Sequence, residues 1–253
     1  TVIVLLRWLV FRLEFGAGMI KMRGGREWRD LTALDYHHET QPMPNPVSRW
    51  AHLAPKPWHR VEVVGNHVAQ LIVPWLLFLP QPVASIAAAV IILTQLWLVL
   101  TGNFAWLNWI TIVLAFSAVS DGAVHAVIPA WPVVAAVPHM PWWFGIPVLV
   151  VSAFLVYLSW RPLRNLFSRR QLMNASFNRW HLVNAYGAFG TVTMHRDEVI
   201  VEGSASEDPR DEDAWREYGF RGKPGEVRRI PPQVAPYHLR LDWLMWFLAL
   251  GSP

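Results

Sequence analysis

Long apolar stretches, broken by short polar segments, run through most of this chain. Between Val63 and Trp160 the only formally charged side chain belongs to Asp121. About a quarter of the residues of an average soluble domain are charged, whereas a stretch of this length with one charge is typical of helices that cross a lipid bilayer. The pattern therefore predicts a mainly α-helical, polytopic membrane protein.

Five stretches are apolar enough to be candidate spans, and together they predict a membrane helix bundle. The second is short and contains Pro74, which favours a tilted, kinked or partly re-entrant segment. If all five cross the bilayer, the loop 23–62 and the chain after residue 160 emerge on the same side, where their charged residues can meet. The candidate spans cover residues 1–22, 65–79, 82–101, 103–120 and 142–160.

The pattern divides the chain into two regions. Residues 1–160 form the transmembrane helix bundle and include an extramembrane, proline-rich loop at 23–62, whereas residues 161–253 form an extramembrane region. Because the chain begins within an apolar helix and stops just after another, we expect it to be a piece of a longer protein.

The second region is predicted to be small and to contain β-structure. Runs at 191–194 and 198–202 predict a β-hairpin, and 215–221 predicts a third strand. The apolar run 241–250 is too short to span a bilayer and predicts an interfacial or docking helix.

Composition narrows the function classes. The net charge is +4, and the basic residues flank the apolar spans, as membrane anchoring requires. No groove-reading motif accompanies this charge, so nucleic acid is not an expected partner. The chain contains no cysteine, which excludes disulfides, thiol catalysis and thiolate metal sites from this stretch.

The first candidate site is a polar stripe on the first helix. Arg7, Glu14 and Lys21 follow one another at intervals of seven residues, so they lie on one helix face. Charge in hydrocarbon is costly, and we expect this stripe to face other helices or a wet cavity. A structural ion-pair role and a functional polar site both remain open.

The second candidate site lies in the proline-rich loop and consists of Tyr36, His37, His38 and Glu39. Successive side chains of an extended segment point in opposite directions, and the HEXXH spacing of zinc sites is absent, so no metal site is predicted. A hydrogen-bonded structural role is the favoured interpretation. General acid–base catalysis is the alternative, because histidine titrates near neutral pH.

The third candidate set lies in the tail: Asn178, His181, Asn184 and Tyr186. The first three are spaced by three residues, so a helix would place them roughly on one face, where they could bind the loop. The following glycines lack the strand and helix context of a nucleotide site, and no cofactor is expected.

Several long strings in the chain strongly resemble the lipase maturation factor family. They are KMRGG at 21–25, WRDLT at 28–32, YHHETQPMPNP at 36–46, GNFAWLNW at 102–109, HLVNAYGAFG at 181–190 and PYHLRLDWLMWF at 236–247. The resemblance implies a chaperone-like membrane protein that assists the folding or assembly of secreted lipases. It supplies no catalytic residues to carry over, so enzyme activity stays open, with a non-enzymatic role favoured. Two departures stand out: Gly222 occupies a segment where animal members often have a cysteine, and the connection 123–141 looks short and apolar.

A shorter motif offers a rival function. Gly18, Lys21 and Trp28 form a Gly-x-x-Lys followed by a Trp-containing loop, which looks like the membrane domain of vitamin K-dependent γ-carboxylases. That similarity implies an intramembrane enzyme acting on a quinone or lipid substrate, with Lys21 as the base and the residues 37–39 nearby. An accessory subunit of a larger membrane assembly is a third alternative.

Location follows from the same resemblance. It implies the endoplasmic reticulum membrane in a eukaryote and the plasma membrane in a prokaryote, with the loop 23–62 and the C-terminal region on the luminal or extracytoplasmic side. The lysine and arginine content of the loop and of 161–170 argues for the cytoplasm instead. We follow the resemblance, and expect membrane lipids, a secreted lipase client and a larger membrane complex as partners.

Overall fold

The computed structural model describes residues 2–132, 141–187, 189–208 and 211–251. The chain forms two compact units. The first comprises Thr1–Asp30, Glu62–Thr94 and Thr111–Thr191, and the second comprises Leu31–Val61, Gln95–Ile110 and Val192–Pro253. Each unit thus collects segments that are far apart in the sequence.

The described chain is mainly helical, as predicted. The helices are α1 (Val2–Arg23), α2 (Arg26–Arg29), α3 (Leu34–Thr40), α4 (Ser48–His52), α5 (Lys56–His67), α6 (Val73–Leu76), α7 (Val83–Thr101), α8 (Leu107–Ala115), α9 (Asp121–Val127), α10 (Trp142–Leu166) and α11 (Arg240–Gly251). A π-helical turn, Val68–Ile72, joins α5 to α6, and a 3₁₀ turn, Phe116–Ala118, follows α8.

Among the described residues, two helices, α7 and α10, are long and apolar enough to cross a membrane, and the sharply bent pair Leu107–Ala118 and Asp121–Val127 makes a third if it counts as one span. Two or three candidate spans fit an integral membrane protein, whereas the predicted number of five spans is not confirmed. Helix α1 carries Arg7, Arg12 and Glu14 within its length, which sets it apart from a purely apolar span.

The predicted second span is interrupted by the π-helical turn. Pro74 has no N–H group to donate to the carbonyl of Gln70, so a regular α-helix would lose a hydrogen bond there. The backbone widens instead, and the N–H of Val73 donates to the carbonyl of Val68, five residues earlier. This turn also places Gln70 in the interior of the first unit.

The core of the first unit is built largely from small residues. Ala84, Ala87 and Ala88 of α7 are fully buried and let neighbouring backbones approach closely, as in membrane helix bundles. The other buried members of this core are Val10, Val73, Leu77, Ile91, Ala115 and Ala118.

The β-structure of the second unit differs from the prediction. The hairpin expected between 191 and 202 is wrong: strand β1 (Glu202–Ser204) pairs antiparallel with β2 (Trp215–Glu217), with Gly203 opposite Arg216. The partner of β1 therefore follows it in the sequence rather than preceding it. Strand β2 begins where the third strand was predicted, and α11 contains the whole run predicted as a short helix.

The proline-rich loop is more helical than its sequence indicated. Helices α2 to α5 all lie within or begin within residues 23–62. Proline is tolerated in the first turn of a helix, where its missing N–H would have no partner, and Pro57 occupies this place in α5. Prolines that favour turns therefore also start helices in this loop.

Candidate functional site

The proline-rich loop of the second unit is held by buried side-chain amides. Gln41 Nε2 lies 2.9 Å from the carbonyl oxygen of His38, 2.9 Å from Ser48 Oγ and 3.0 Å from the carbonyl oxygen of Thr101. The hydroxyl of Ser48 donates to the same Thr101 carbonyl at 2.7 Å. These bonds tie the end of α3 to the end of α7.

Asn45 extends this network in two directions. Its Oδ1 accepts hydrogen bonds from the backbone N–H groups of Val47 (3.0 Å) and Ser48 (2.9 Å), which shapes the turn before α4. Its Nδ2 donates to the carbonyl of Leu100 at 2.9 Å and to Gln233 Oε1 at 2.9 Å. One amide thus connects the loop, α7 and the tail.

Asn103 uses all its side-chain hydrogen-bonding positions and is 1% exposed. Its Nδ2 donates to the carbonyls of Pro44 (3.0 Å) and Pro232 (2.9 Å), and its Oδ1 accepts from the N–H groups of Val234 (2.8 Å) and Ala235 (2.9 Å). An amide has two donor hydrogens and an oxygen with two acceptor positions, and all are used. Asn103 therefore joins two proline-rich segments.

Arg196 of the tail completes the arrangement. Its guanidinium donates to the carbonyls of Glu39 (3.0 Å), Pro42 (3.2 Å) and Gln41, and its Nε donates to Glu198 Oε1 at 2.6 Å. Proline has no N–H, so a proline-rich chain cannot pair its carbonyls in a regular ladder and needs donors from elsewhere. We call Gln41, Asn45, Asn103 and Arg196 the carbonyl-binding set.

Sequence reasoning missed the carbonyl-binding set. Gln41 and Asn45 lie inside the string 36–46 that attracted attention for its histidines, and Asn103 follows the glycine after α7. A usable signal was present: polar amides next to a run of prolines, where carbonyls lack backbone donors.

The histidines of the second candidate site lie on a helix rather than on an extended segment. Leu34, His37 and His38 of α3 are buried. The tertiary contacts of these side chains stabilise a helix that is too short to be recognised from sequence periodicity. The ring of His37 stacks on that of Phe104 at 6.1 Å between centroids, and the His38 ring lies 6.0 Å from that of His59.

His38 is a neutral, buried side chain. It is 3% exposed, and among the described residues neither ring nitrogen has a hydrogen-bond partner. Burial, together with the electrostatic influence of the neighbouring His59 and His52, lowers the pKa of His38 to about 4. A base with so low a pKa takes up protons weakly at neutral pH, which favours a packing role for this ring.

Glu39 and Tyr36 of the loop site, and the neighbouring His59, have structural partners. His59 Nδ1 lies 3.0 Å from Asp35 Oδ1, and its Nε2 lies 2.9 Å from the carbonyl oxygen of Ala51. Glu39 is half-exposed and lies 3.4 Å from His52 Nε2. The carbonyl of Tyr36 accepts from the hydroxyl of Thr40 within α3.

The polar stripe of α1 belongs to the first unit. Arg7 donates to two backbone carbonyls at helix ends, those of Leu77 (3.1 Å), directly after α6, and Ser117 (3.2 Å), in the 3₁₀ turn after α8. Glu14 is buried at 2% exposure. The stripe thus contacts protein groups of its own unit. Its two cations, Arg7 and Lys21, donate hydrogen bonds to backbone or amide oxygens.

Lys21 is buried and binds two amide side chains that sequence reasoning had not singled out. Its Nζ donates to Asn66 Oδ1 at 2.8 Å and to Gln70 Oε1 at 3.0 Å, and it lies 4.5 Å from the centre of the Trp28 ring. Asn66 is on α5 and Gln70 is on the π-helical turn, four residues apart in an otherwise apolar stretch. That spacing was the available signal.

Residues 184–187 and Gly190 of the C-terminal region lie against α1 or the residues that directly follow it. Gly16 leaves room for the carbonyl of Tyr186, because a Cβ there would lie 2.8 Å from that oxygen. The N–H of Gly25 donates to the carbonyl of Gly190 at 2.8 Å, and Arg12 donates to the carbonyl of Asn184. Burial and the charge of Glu14 raise the pKa of Tyr186 to about 12, so its hydroxyl stays protonated.

The helix expected to carry Asn178, His181 and Asn184 is absent from the described chain between Phe167 and Gly187. His181 has a positive φ of 55°, which is incompatible with a right-handed helix. Asn178 Oδ1 instead accepts from the N–H of Leu182 at 3.2 Å, and Asn184 Nδ2 donates to the carbonyl of His181 at 2.9 Å. Asparagine side chains compete with helical backbone bonds in this way.

The predicted site residues therefore fall into two groups, each in its own unit. Arg7, Glu14, Lys21 and the residues 178–186 belong to the first unit, and the residues 36–39 belong to the second. Within the described residues no three His, Asp or Glu side chains are placed to hold a metal ion. The carbonyl-binding set fixes the position of a loop.

Comparison with known proteins gives two family matches. The lipase maturation factor transmembrane domain matches residues 1–126, and the lipase maturation factor C-terminal domain matches residues 182–253. No solved structure matches the chain significantly.

Named relatives agree with these matches. Lipase maturation factor 1 of Homo sapiens is 43% identical over 265 residues, covering 97% of this chain and 46% of the relative. Lipase maturation factor 1 of Bos taurus is 42% identical over 97% of this chain and 47% of its own length. Lipase maturation factor 2 of Gallus gallus is 28% identical over 98% of this chain and 48% of its own length.

The chain spans a little less than half the length of these relatives. Their names give no support to the lysine-based enzyme or to the accessory subunit, the two alternatives considered from the sequence. Both family models and relatives more than 40% identical over nearly the whole chain point the same way, and the chain belongs to the lipase maturation factor family.

Proposed function

We propose that this chain is part of a membrane-embedded maturation factor that binds secreted lipase-type proteins while they fold or assemble. The family supports the client class, since its members are named for lipase maturation. The observation that carries the proposal is the rigid proline-rich loop, which presents exposed aromatic side chains.

The loop combines a fixed backbone with an apolar surface. Trp50 is 77% exposed, and Leu53, Trp58 and Val61 are also largely exposed, although they belong to the same loop as the buried Gln41 and Asn45. Ordering a flexible loop on binding weakens affinity. A loop already held by the carbonyl-binding set avoids this loss and offers hydrophobic contacts of the kind an unassembled client exposes.

The test is lipase maturation in cells that lack their own maturation factor. Such cells express a dimeric secreted lipase together with the chain, and the secreted lipase activity is divided by the secreted lipase mass. We expect Trp50→Ser with Trp58→Ser to reduce this ratio severalfold while the membrane level of the chain stays unchanged. Trp131→Ser, on an exposed Trp of the first unit, is the matched control. Equal ratios for the double variant and the control would contradict the proposal.

For the topology, we propose five crossings with the loop 23–62 and the C-terminal region 161–253 on the luminal or extracytoplasmic side. Helix α1 has 22 residues, about 33 Å at the helical rise per residue, and its Arg7 is met by carbonyls of its own unit. Residues 31–61 of the loop and 192–253 of the C-terminal region belong to one compact unit, which agrees with an even number of crossings, four of the five, between them.

A labelling experiment tests this orientation. A single cysteine introduced at Asp208 gives the otherwise cysteine-free chain one reactive thiol. We expect a membrane-impermeant maleimide to label it in intact bacterial cells, or in sealed microsomes only after the lumen is opened. Labelling from the cytoplasmic side would reverse the proposed orientation. A larger membrane complex, the remaining proposed partner, is tested by mass spectrometry of proteins that co-purify with the detergent-solubilised chain.

A further inference from the structure

The end of helix α10 carries a cluster of arginines without carboxylates. No Asp or Glu occurs in the sequence between Gly122 and Arg196. Within this acid-free stretch, five arginines lie in the last turns of α10 or in the chain that follows, and all are exposed. They are Arg161, Arg164, Arg169, Arg170 and Arg179, and we call them the basic rim.

Hydrogen bonds keep the rim together at one end of the helix. Asn165 Nδ2 donates to the carbonyl of Leu172 at 2.8 Å, and its Oδ1 accepts from the N–H of Leu172 at 2.8 Å. Arg161 donates to the carbonyl of Phe177 at 2.6 Å. The ring of Trp180 packs edge-on against that of Phe154 of α10, 5.6 Å between centroids. The chain after α10 therefore folds back against the helix end.

The positive charge of the rim is not neutralised within the described part of the chain. Arg179 lies 4.9 Å above the Trp180 ring, and Arg161 binds a carbonyl, so neither meets a carboxylate. The guanidinium groups of Arg164, Arg169 and Arg170 form no ion pair or hydrogen bond with described residues. Like charges gathered at one helix end and in the chain that follows it repel one another, which favours an anionic partner from outside.

The neighbouring side chains indicate what that partner is. Trp160 and Phe167 are 59% and 79% exposed, and with Arg164 between them they follow helical spacing along one face. Aromatic and arginine side chains at the end of a membrane-crossing helix lie at the level of the lipid headgroups. An acidic protein partner would explain the charge but not the exposed aromatics beside a lipid-facing helix.

We infer that the basic rim is a binding surface for anionic phospholipid headgroups of the membrane that α10 crosses. Its arginines contact the phosphates, and Trp160, Phe167 and Trp180 enter the adjoining acyl region. Anionic lipid then stabilises the end of α10 together with the chain 167–180. This inference is independent of lipase maturation, because the rim and the aromatic loop surface share no residue.

The test uses the purified chain in detergent with defined lipid added. Native mass spectrometry measures the apparent affinity for phosphatidylglycerol and for phosphatidylcholine. We expect the chain to prefer phosphatidylglycerol, and the variant R164Q/R169Q/R170Q to lose about a hundredfold in that affinity, because each basic residue near an anionic surface contributes roughly fivefold. The matched control is R60Q/R228Q/R240Q, three exposed arginines that each have a carboxylate two residues away in the sequence.

Further measurements separate lipid binding from folding and from free phosphate. R164K/R169K/R170K keeps the charge and is expected to keep the preference, even if the glutamine variant unfolds. The preference is also expected to weaken in 0.5 M NaCl, since salt screens exposed charges. Equal affinity for the two lipids, an unchanged preference in a folded glutamine variant, or full competition by inorganic phosphate would each overturn the inference.

Discussion

Replacing Asn103 by alanine tests how the two proline-rich segments are held. The substitution leaves four backbone groups without their partner: the carbonyls of Pro44 and Pro232 and the N–H groups of Val234 and Ala235. A buried polar group that loses its partner destabilises a protein by roughly 1–3 kcal/mol. Water can enter the space vacated by the side chain, so the lower end applies, and the total is about 4 kcal/mol.

The assay is the free energy of unfolding of the purified chain in mixed detergent, followed by tryptophan fluorescence. Asn108→Ala provides a graded comparison, because Asn108 is also buried, at 6% exposure, but its amide donates one hydrogen bond, to Gln95 Oε1 at 2.7 Å. We expect Asn108→Ala to lower the free energy of unfolding by about 1–2 kcal/mol. An Asn103→Ala variant within about 1 kcal/mol of the unchanged chain would refute the reasoning, since four unpaired buried groups cannot be so well tolerated.

Three further predictions concern single side chains. The free energy of unfolding should fall by up to about 3 kcal/mol as pH drops from 6.5 to 4. In this range the unfolded His38 takes up a proton, whereas the folded one, with a pKa of about 4, does not. Unfolding titrations of the chain and of His38→Gln should differ by this amount, and identical pH profiles would contradict the prediction. Lys21→Ala should lower the free energy of unfolding by about 2–3 kcal/mol, because it removes a buried, hydrogen-bonded cation. The variant should keep its lipase maturation activity per folded molecule. Loss of that activity in a fully stable variant would favour a catalytic lysine. Gly24→Ala should destabilise the fold by more than about 2 kcal/mol, because its Cβ would lie 1.7 Å from the carbonyl oxygen of Gly190. Gly65→Ala, in open space on α5, should be neutral or stabilise the fold by up to about 1 kcal/mol. Similar thermal midpoints for the two variants would count against the close approach of Gly24 and Gly190.

The sequence alone determined the class of protein and its most apolar helices. The long apolar runs that became α7 and α10 follow from their composition, because the preference for hydrocarbon belongs to the segment itself and does not depend on its neighbours. The same holds for α11, predicted as a short apolar helix. The family resemblance was equally local, since it rested on continuous strings such as the one at 36–46.

Tertiary structure decided what the polar residues do. Strand β1 found its partner at Trp215 rather than in the adjoining run, and α3 formed around His37 and His38 because burial stabilised a helix of seven residues. The roles of Asn103 and Arg196 depend on carbonyls that are distant in the sequence but adjacent in the second unit. A hydrogen bond needs a donor and an acceptor within about 3 Å, and only the folded backbone determines which groups come that close.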